Sequence, residues 1–171
     1  MPIRFGENIM RKEAYSDEWY TPHRYVDSAR RVLYRIELDP ASCDHANHVV
    51  GAERIYTKDD DGLHRPWSGR VWCNPPYSGV KDWVRKMVRS YESGAITAGI
   101  LLVNAWTEGR WFEPLYDYPM CFVRGRIQFY RPTGEKEGCP SSSVFVYFGD
   151  KIREFAAEFR RYGVIMHRYR F

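Results

Sequence analysis

The sequence predicts an α/β protein whose central sheet is mostly parallel and carries an antiparallel edge. Strand-like apolar runs alternate with segments of helical periodicity along most of the chain, which is the pattern of strands joined by crossover helices. The run "AITAGILLVN" is apolar almost throughout and predicts a strand that is covered on both faces. Closely spaced strand-like runs near the C-terminal end predict the antiparallel edge.

The composition is that of one folded domain. A length of 171 residues, a hydrophobic fraction of 44% and an aromatic fraction of 16% exclude a disordered chain. Residues 1–15 carry no clear period and are predicted to be a flexible arm, so that residues 16–171 form the domain. No segment resembles a signal peptide or a membrane span, and the four cysteines form no CxxC pair, so the sequence predicts a cytoplasmic protein.

The N-terminal half is predicted to alternate between helix and strand. A helix runs through "TPHRYVDSARRVL", with Thr21 as its N-cap and Pro22 at the first helical position. A strand in "YRIELD" ends at Asp39, where a proline follows. A weakly signalled helix in "ASCDHANHVV" and a short strand in "ERIYT" come next.

The C-terminal half continues the pattern. "RVWC" predicts a buried strand, and apolar residues from Val80 to Tyr91 fall at helical spacing behind a cap at Ser78. After "AITAGILLVN", the runs "MCFVRGRIQFY" and "SSVFVYFG" predict two strands joined by a loop. A helix from about Lys151 and a last strand in "VIMHRY" complete the predicted fold.

Polar side chains follow three of the predicted strands. Asp39, Asn74 and Asn104 each lie at or just past a strand's carboxyl end. In open α/β sheets ligands bind at this edge. The sequence therefore predicts a site formed by these residues.

The run Asn74-Pro75-Pro76-Tyr77 is the most informative short motif. Two prolines make the chain stiff and extended. The Asn74 side-chain oxygen and the Pro75 carbonyl are two acceptors held in fixed directions, which suits the two N–H donors of an exocyclic amine. The Tyr77 ring offers a face on which a heterocycle can stack. This pattern is typical of chemistry on the amino group of a planar substrate.

The motif resembles the catalytic motif of S-adenosylmethionine-dependent amino methyltransferases. The ordered set "WYTP", "ELDPAS", "DGLHRPWSGRVWCNPPYSGVKDWV" and "PSSSVFVYFGD" is similar to the phage-type Dam family of DNA N6-adenine methyltransferases over roughly residues 17–163. The resemblance implies a reduced Rossmann-like class I methyltransferase fold, S-adenosylmethionine as cofactor, DNA as partner, and a phage-encoded enzyme acting in a bacterial host cell. It also implies catalytic roles for Asn74, Pro75, Pro76 and Tyr77.

The resemblance further implies a set of cofactor-binding residues. A "TP" pair in related enzymes lies against the methionine part of the cofactor, and a strand-end "DPA" and an acidic residue lie at the cofactor site. These match Thr21, Pro22, Asp39, Ala41 and Asp61. In one respect the chain departs from most such enzymes, because "DPASCDHAN" lacks the glycines that usually follow the first strand.

The predicted DNA-binding residues lie in the stretch "RGRIQFYRPTGEK". It contains basic residues interleaved with aromatic ones, and such residues can contact phosphates and fill the gap left by a flipped base. The residues are Arg124, Arg126, Arg131 and Lys136.

Alternative functions remain open at the level of sequence. The stacking tyrosine also suits RNA or a protein glutamine as acceptor, and a non-catalytic nucleic-acid-binding remnant of the fold would explain the missing glycines. A zinc site was considered for Cys43, His45, His48 and His64, but their spacing matches no ligand pattern. The sequence therefore predicts no metal.

Overall fold

The computed structural model describes residues 19–169 and has an α/β architecture. Within this range a seven-stranded sheet is flanked by four α-helices, and a separate two-stranded sheet is attached to it. The α/β prediction is confirmed. The predicted arm, residues 1–15, lies outside the described residues.

The first helix, α1 (His23–Leu33), begins later than the sequence predicted. Pro22, with φ −57° and ψ 138°, holds the N-cap position, and no side chain caps the helix. The prediction of Thr21 as N-cap was therefore wrong. The helix is amphipathic as predicted, and it buries Tyr25, Val26 and Ala29 against the sheet.

The next part of the chain forms three parallel strands, with the first strand in the middle. Strand β1 (Leu38–Asp39) is followed by helix α2 (Asp44–Val50), strand β2 (Arg54–Ile55) and, after a loop, strand β3 (Gly69–Cys73). Both β2 and β3 pair with β1 in parallel, one on each side. Strand order therefore reverses at β1, and in sheets of this kind the ligand crevice lies at the carboxyl ends of the strands at the reversal, here β1 and β3.

Helix α3 (Val80–Glu92) and strand β4 (Ile96–Asn104) follow the Asn-Pro-Pro-Tyr motif. The N-cap of α3 is Gly79 in the left-handed conformation, with φ 76°, and not Ser78 as predicted. A glycine adopts this backbone at little cost, so the chain can turn sharply from the stiff proline pair into the helix. Strand β4 pairs with β3 in parallel and is buried along most of its length, as predicted.

The segment 120–130 does not form the single strand that the sequence predicted. Strand β5 (Met120–Val123) ends before Gly125, which has φ 72°, and β6 (Gln128–Tyr130) turns away from the main sheet. β6 pairs instead with β7 (Lys136–Gly138) in an antiparallel hairpin. The hairpin also touches the N-terminal segment, through a bridge between Tyr20 and Tyr130.

Strand β8 (Ser143–Phe148), helix α4 (Ile152–Phe159) and strand β9 (Gly163–Met166) complete the fold. The sheet order is β2-β1-β3-β4-β8-β5-β9. Because β8 is antiparallel to β4 and β5, and β9 is antiparallel to β5, these two strands oppose the others. The mostly parallel sheet with an antiparallel edge is confirmed.

Two apolar layers enclose the sheet. One lies under α1 and α4 and includes Phe145, Phe155 and Phe159, and the other lies under α3 and includes Met87 and Leu101. Among residues 19–169 no helix has the length and apolar character that crossing a membrane requires.

Candidate active site

The three polar residues predicted at strand ends lie along one edge of the sheet. β1, β3 and β4 are adjacent and parallel, so Asp39, Asn74 and Asn104 follow one another at their carboxyl ends. Asp39 and Asn104 are buried. The edge coincides with the crevice at the reversal of strand order, where ligands bind in such sheets.

The Asn74 side chain is held by two contacts from the segment before α1. Its Nδ2 donates to the Trp19 carbonyl at 2.7 Å and to the Thr21 hydroxyl at 3.1 Å. A carbonyl can only accept, so the nitrogen must face Trp19 and the oxygen must point the other way. That oxygen, Oδ1, is buried and accepts no hydrogen bond from the described residues. An unsatisfied buried acceptor costs about 1–3 kcal/mol, so the site favours a ligand with an N–H group here.

Tyr77 and Trp19 form a partly buried aromatic pair beside Asn74. Their ring centroids are 6.2 Å apart and the planes are inclined by 29°. The Tyr77 hydroxyl lies 3.4 Å from Sγ of Cys139, which is itself buried and lies 3.7 Å from Oδ1 of Asn104. The ring is therefore fixed from both ends, by stacking and by this polar contact.

Trp19 is the site residue whose role the sequence did not indicate. Its edge packs on Phe129, with centroids 5.7 Å apart, and the Arg131 guanidinium lies 4.3 Å from its ring centroid. Arg131 also pairs with Glu137 at 3.1 Å, and only 13% of its side chain is exposed. Trp19 belongs to the quoted "WYTP", but aromatic residues are too often part of a core for the letter alone to assign it to a site.

Asp39 is a buried carboxyl group at the end of β1. Its Oδ1 accepts a hydrogen bond from the Ala41 backbone N–H at 3.2 Å. Burial raises the pKa of Asp39 to about 7, because the hydrogen bonds only partly offset the loss of hydration. Among residues 19–169 no cation pairs with it. A ligand that brings hydroxyl or ammonium donors would stabilise the charged form.

The loop after β2 brings Asp61 beside the end of β1. A Cβ at Gly62 would lie 1.9 Å from the Pro40 carbonyl oxygen, so only glycine allows this approach. Asp61 has a left-handed backbone with φ 54°, and its carboxylate contacts Nδ1 of His64 at 2.6 Å. Gly62 thus holds the loop after β2 directly against the segment that follows β1.

The four predicted DNA-binding residues lie in different environments. Arg126 donates to the carbonyls of Cys139 and Pro140 and so ties the hairpin to the segment before β8. Arg131 packs on the Trp19 ring and pairs with Glu137. Lys136 is exposed, with Nζ 5.4 Å from the Tyr130 ring centroid. Arg124 is exposed just past β5.

The residues considered for zinc have other contacts. Cys43 is the N-cap of α2, where Sγ accepts from the Ala46 N–H, and the His45 ring packs against Tyr20. Within the described part of the chain, no three His, Cys, Asp or Glu side chains converge as metal ligands would.

Comparison with known proteins assigns the chain to a family. A family model described as DNA N-6-adenine-methyltransferase (Dam) matches residues 9–159. A relative from Escherichia phage T1, described as a DNA N-6-adenine-methyltransferase, is 30% identical over 82 residues. That match covers 47% of this chain and 33% of the relative, so this chain spans only about a third of the relative's length. The family model includes every strand end that forms the site, and the chain belongs to the DNA N-6-adenine-methyltransferase (Dam) family.

Proposed function

We propose that the protein is a site-specific DNA methyltransferase that modifies N6 of adenine and uses S-adenosylmethionine as methyl donor. The observation that carries this proposal is the buried Oδ1 of Asn74, which is oriented by Trp19 and Thr21 and has no donor among residues 19–169. An exocyclic amine supplies the missing donor. Membership of the Dam family supports adenine in DNA as the base that carries this amine.

The residues at the crevice fit the proposed cofactor. Asp39 is a buried carboxyl group with no cationic partner in the described range, and so it suits the ribose hydroxyls or the ammonium group. S-adenosylmethionine supplies a methyl group already activated on a sulfonium, so the protein mainly positions the reactants. Within our proposal the cofactor is held by Thr21, Pro22, Asp39, Ala41 and Asp61.

We place the fold in the class I methyltransferases, with residues 16–171 as one methyltransferase domain. The support is the reversal of strand order at β1 between β2 and β3, with Asp39 and Asn74 on the two sides of the crevice. Gly62 against the Pro40 carbonyl provides the tight approach of loops that a glycine-rich turn would otherwise provide.

The acceptor adenine must leave the duplex to reach this crevice. Flipping it out costs roughly a few kcal/mol, which stacking on Tyr77 offsets. Oδ1 of Asn74 and the carbonyl of Pro75 accept from the N6 amine, and both draw charge toward themselves as the nitrogen becomes positive. As the bond between N6 and the methyl carbon forms and the bond from that carbon to the sulfonium sulfur breaks, N6 would become cationic and acidic, and its proton would leave to water.

We assign the DNA contacts to the hairpin of β6 and β7 and to the segment from Arg124 that leads into it. We also propose that the protein is phage-encoded and acts in the cytoplasm of a bacterial cell. In this proposal exposed Lys136 and Arg124 contact phosphates, whereas Arg126 before β6 and Arg131 at the turn of the hairpin hold the hairpin in position. RNA or a protein glutamine remains the alternative acceptor, because the stacking surface suits any planar amide or base.

The test is methyl transfer to DNA of random sequence with labelled S-adenosylmethionine, followed by nucleoside analysis. We expect label in N6-methyl-2′-deoxyadenosine from the DNA and none with Asn74→Ala, while calorimetry shows that this variant binds the cofactor about as well as the parent does. Label in RNA or in glutamine only would replace DNA as the acceptor. Absence of cofactor binding in the parent would identify a non-catalytic remnant of the fold.

A further inference from the structure

A groove lined by three arginines lies between α4 and β9, away from the crevice. Arg124 comes just after β5, Arg153 lies on α4, and Arg160 is the C-cap residue that directly follows α4. The floor contains Ala157 and Val164. All three arginines are exposed, and within residues 19–169 their guanidinium groups have no hydrogen-bond or ion-pair partner. The neighbouring exposed Arg161 differs, since it pairs with Glu158 at 3.0 Å.

Helical geometry places the basic residues of α4 on one side. Residues 153, 157 and 160 are spaced by four and three positions and therefore lie on one face. Phe155 and Phe159 point into the core, and Glu154 and Glu158 fall about 100° or more around the helix from Arg153. The groove thus presents positive charge without a carboxylate on the same face.

The upper end of this groove shares an edge of the sheet with the candidate active site. β5 runs in the same direction as β3 and β4, so Arg124 follows a carboxyl end like Asn74 does. Gly163 at the start of β9 pairs with the last residue of β5, and the Arg124 N–H donates to the Tyr162 carbonyl at 2.9 Å. Arg160 therefore also lies near this edge.

The lateral distance fits a duplex lying along the edge. β5 and β9 are three and four strands from β3, which corresponds to roughly 14–19 Å at about 4.8 Å per strand. Phosphates follow one another by about 3.4 Å along the axis of each strand of the duplex. The groove would therefore meet phosphates about four to six base pairs from the flipped adenine.

We propose that the groove of Arg124, Arg153 and Arg160 binds the phosphate backbone of the DNA that flanks the target adenine. This inference rests on the proposed function for its partner, and it adds Arg153 of α4 and its C-cap residue Arg160 to the DNA-binding surface. A second copy of the chain is a poorer occupant, because it would bring the same positive groove against this one. The groove positions the duplex and reads no bases.

The test compares two double variants by DNA-binding anisotropy over a range of salt concentrations. Arg153→Ala with Arg160→Ala removes two proposed phosphate contacts, whereas the control, Arg35→Ala with Arg161→Ala, removes the same charge from arginines that pair with carboxylates. The probe is a mixed-sequence 24-base-pair duplex without cofactor. Thermal melting checks that both variants are folded.

We expect the log–log salt slope of the groove variant to be smaller than the parent's by about 1.8, at 0.9 for each phosphate. Between 50 and 200 mM salt the parent then loses about tenfold more affinity than this variant. The control slope stays near that of the parent, and methyl transfer at saturating DNA keeps its kcat while KM rises.

If the groove variant and the parent have equal salt slopes, or if both double variants change the slope equally, the groove does not bind phosphates. Either result would leave the proposed methyl transfer intact. A parent dimer that dissociates in the groove variant would make the groove a contact between copies and also overturn the proposal. A parent that binds no DNA at any salt concentration would remove both the groove and DNA as the acceptor.

Discussion

The amide nitrogen of Asn74 donates to the hydroxyl of Thr21, at 3.1 Å and across 53 positions of the chain. Together with the Trp19 carbonyl, this contact uses both N–H groups of the amide. The segment before α1 thereby fixes which way the side chain of the Asn-Pro-Pro-Tyr motif points. Within the proposed function, Thr21 would therefore orient the side chain that meets the acceptor amine, in addition to any contact with the cofactor.

The first prediction concerns this contact. Thr21→Val keeps the shape of the side chain but removes the acceptor, and losing such a partner costs about 1–3 kcal/mol. We expect kcat to fall by about 5-fold to 100-fold and Thr21→Ser to restore most of it. Single-turnover kinetics measures the effect of Thr21 on Asn74, and calorimetry with S-adenosylmethionine measures any contact of Thr21 with the cofactor. A weaker cofactor affinity with unchanged kcat would instead assign Thr21 to the cofactor alone.

The second prediction concerns the stacking ring. Tyr77→Ala removes the face that receives the flipped base, and stacking is worth about 1–3 kcal/mol per base. We expect weaker capture of the base, measured with a fluorescent adenine analogue at the target position. Tyr77→Phe keeps the ring and loses the contact between the hydroxyl and Cys139, whose sulfur is a weak partner, so we expect a mild effect. Equal damage from both substitutions would give the hydroxyl a direct role.

The third prediction follows from the buried carboxyl group. Burial raises the pKa of Asp39 to about 7, and the carboxylate accepts from the ammonium or hydroxyl groups of the cofactor much more strongly than the neutral acid does. Affinity for S-adenosylmethionine should therefore rise with pH and level off above 7, being about tenfold weaker at pH 6 than on the plateau. Asp39→Asn should bind about one to two orders of magnitude more weakly, with no such dependence. Calorimetry at several pH values measures both.

The same group affects the stability of the protein without ligand. Between pH 4 and 7 the folded chain retains a proton on Asp39 that the unfolded chain releases, because the pKa in the folded state lies above the ordinary aspartate value of 3.8. The free energy of unfolding therefore falls as pH rises through this interval. The free energy of unfolding of the Asp39→Asn variant should fall less steeply with pH, and this variant should be more stable than the parent at pH 8. An identical pH profile for variant and parent in denaturant titrations would assign the change to other groups.

The fourth prediction distinguishes two basic residues of the hairpin region. Arg131 lies on Trp19 and pairs with Glu137, whereas Lys136 is exposed. Lys136→Ala should reduce the salt slope of DNA binding by about 0.9. Arg131→Ala should leave the slope unchanged and lower kcat by about 2-fold to 30-fold, the range of a cation–π contact.

Arg131→Lys is the matched control for this difference. It keeps the charge but not the planar guanidinium that stacks on Trp19, so it should restore little of the activity. If Arg131→Lys behaves like the parent in both salt slope and kcat, Arg131 acts as a simple phosphate contact and not through Trp19.

Most secondary structure was predictable because its signals are local. The helical spacing of α1 and α3 and the apolar run of β4 depend only on neighbouring residues, and all three elements appear where the sequence placed them. Cap positions were wrong at Thr21 and Ser78. A serine or threonine before a helix can bond to the helix end or to other groups nearby. The Thr21 hydroxyl accepts from the distant amide of Asn74, and it does not cap α1.

The hairpin region shows the limit of local patterns. Residues 120–130 have strand propensity throughout, but β5 joins the main sheet and β6 leaves it to pair with β7. Strand pairing joins residues far apart in sequence, and a turn such as that at Gly125 can redirect the chain without changing the propensity on either side.

By itself, the sequence determined the α/β class, the strand-end positions of Asp39, Asn74 and Asn104, and the motif that resembles the Dam family. Only the tertiary structure decided that Trp19 packs beside Tyr77, that the Arg131 guanidinium lies on Trp19, and that Oδ1 of Asn74 accepts no hydrogen bond from residues 19–169. The reason is physical. Residue type limits which bonds a group can make, whereas the bond it does make depends on which distant backbone and side chains the fold brings within about 3 Å.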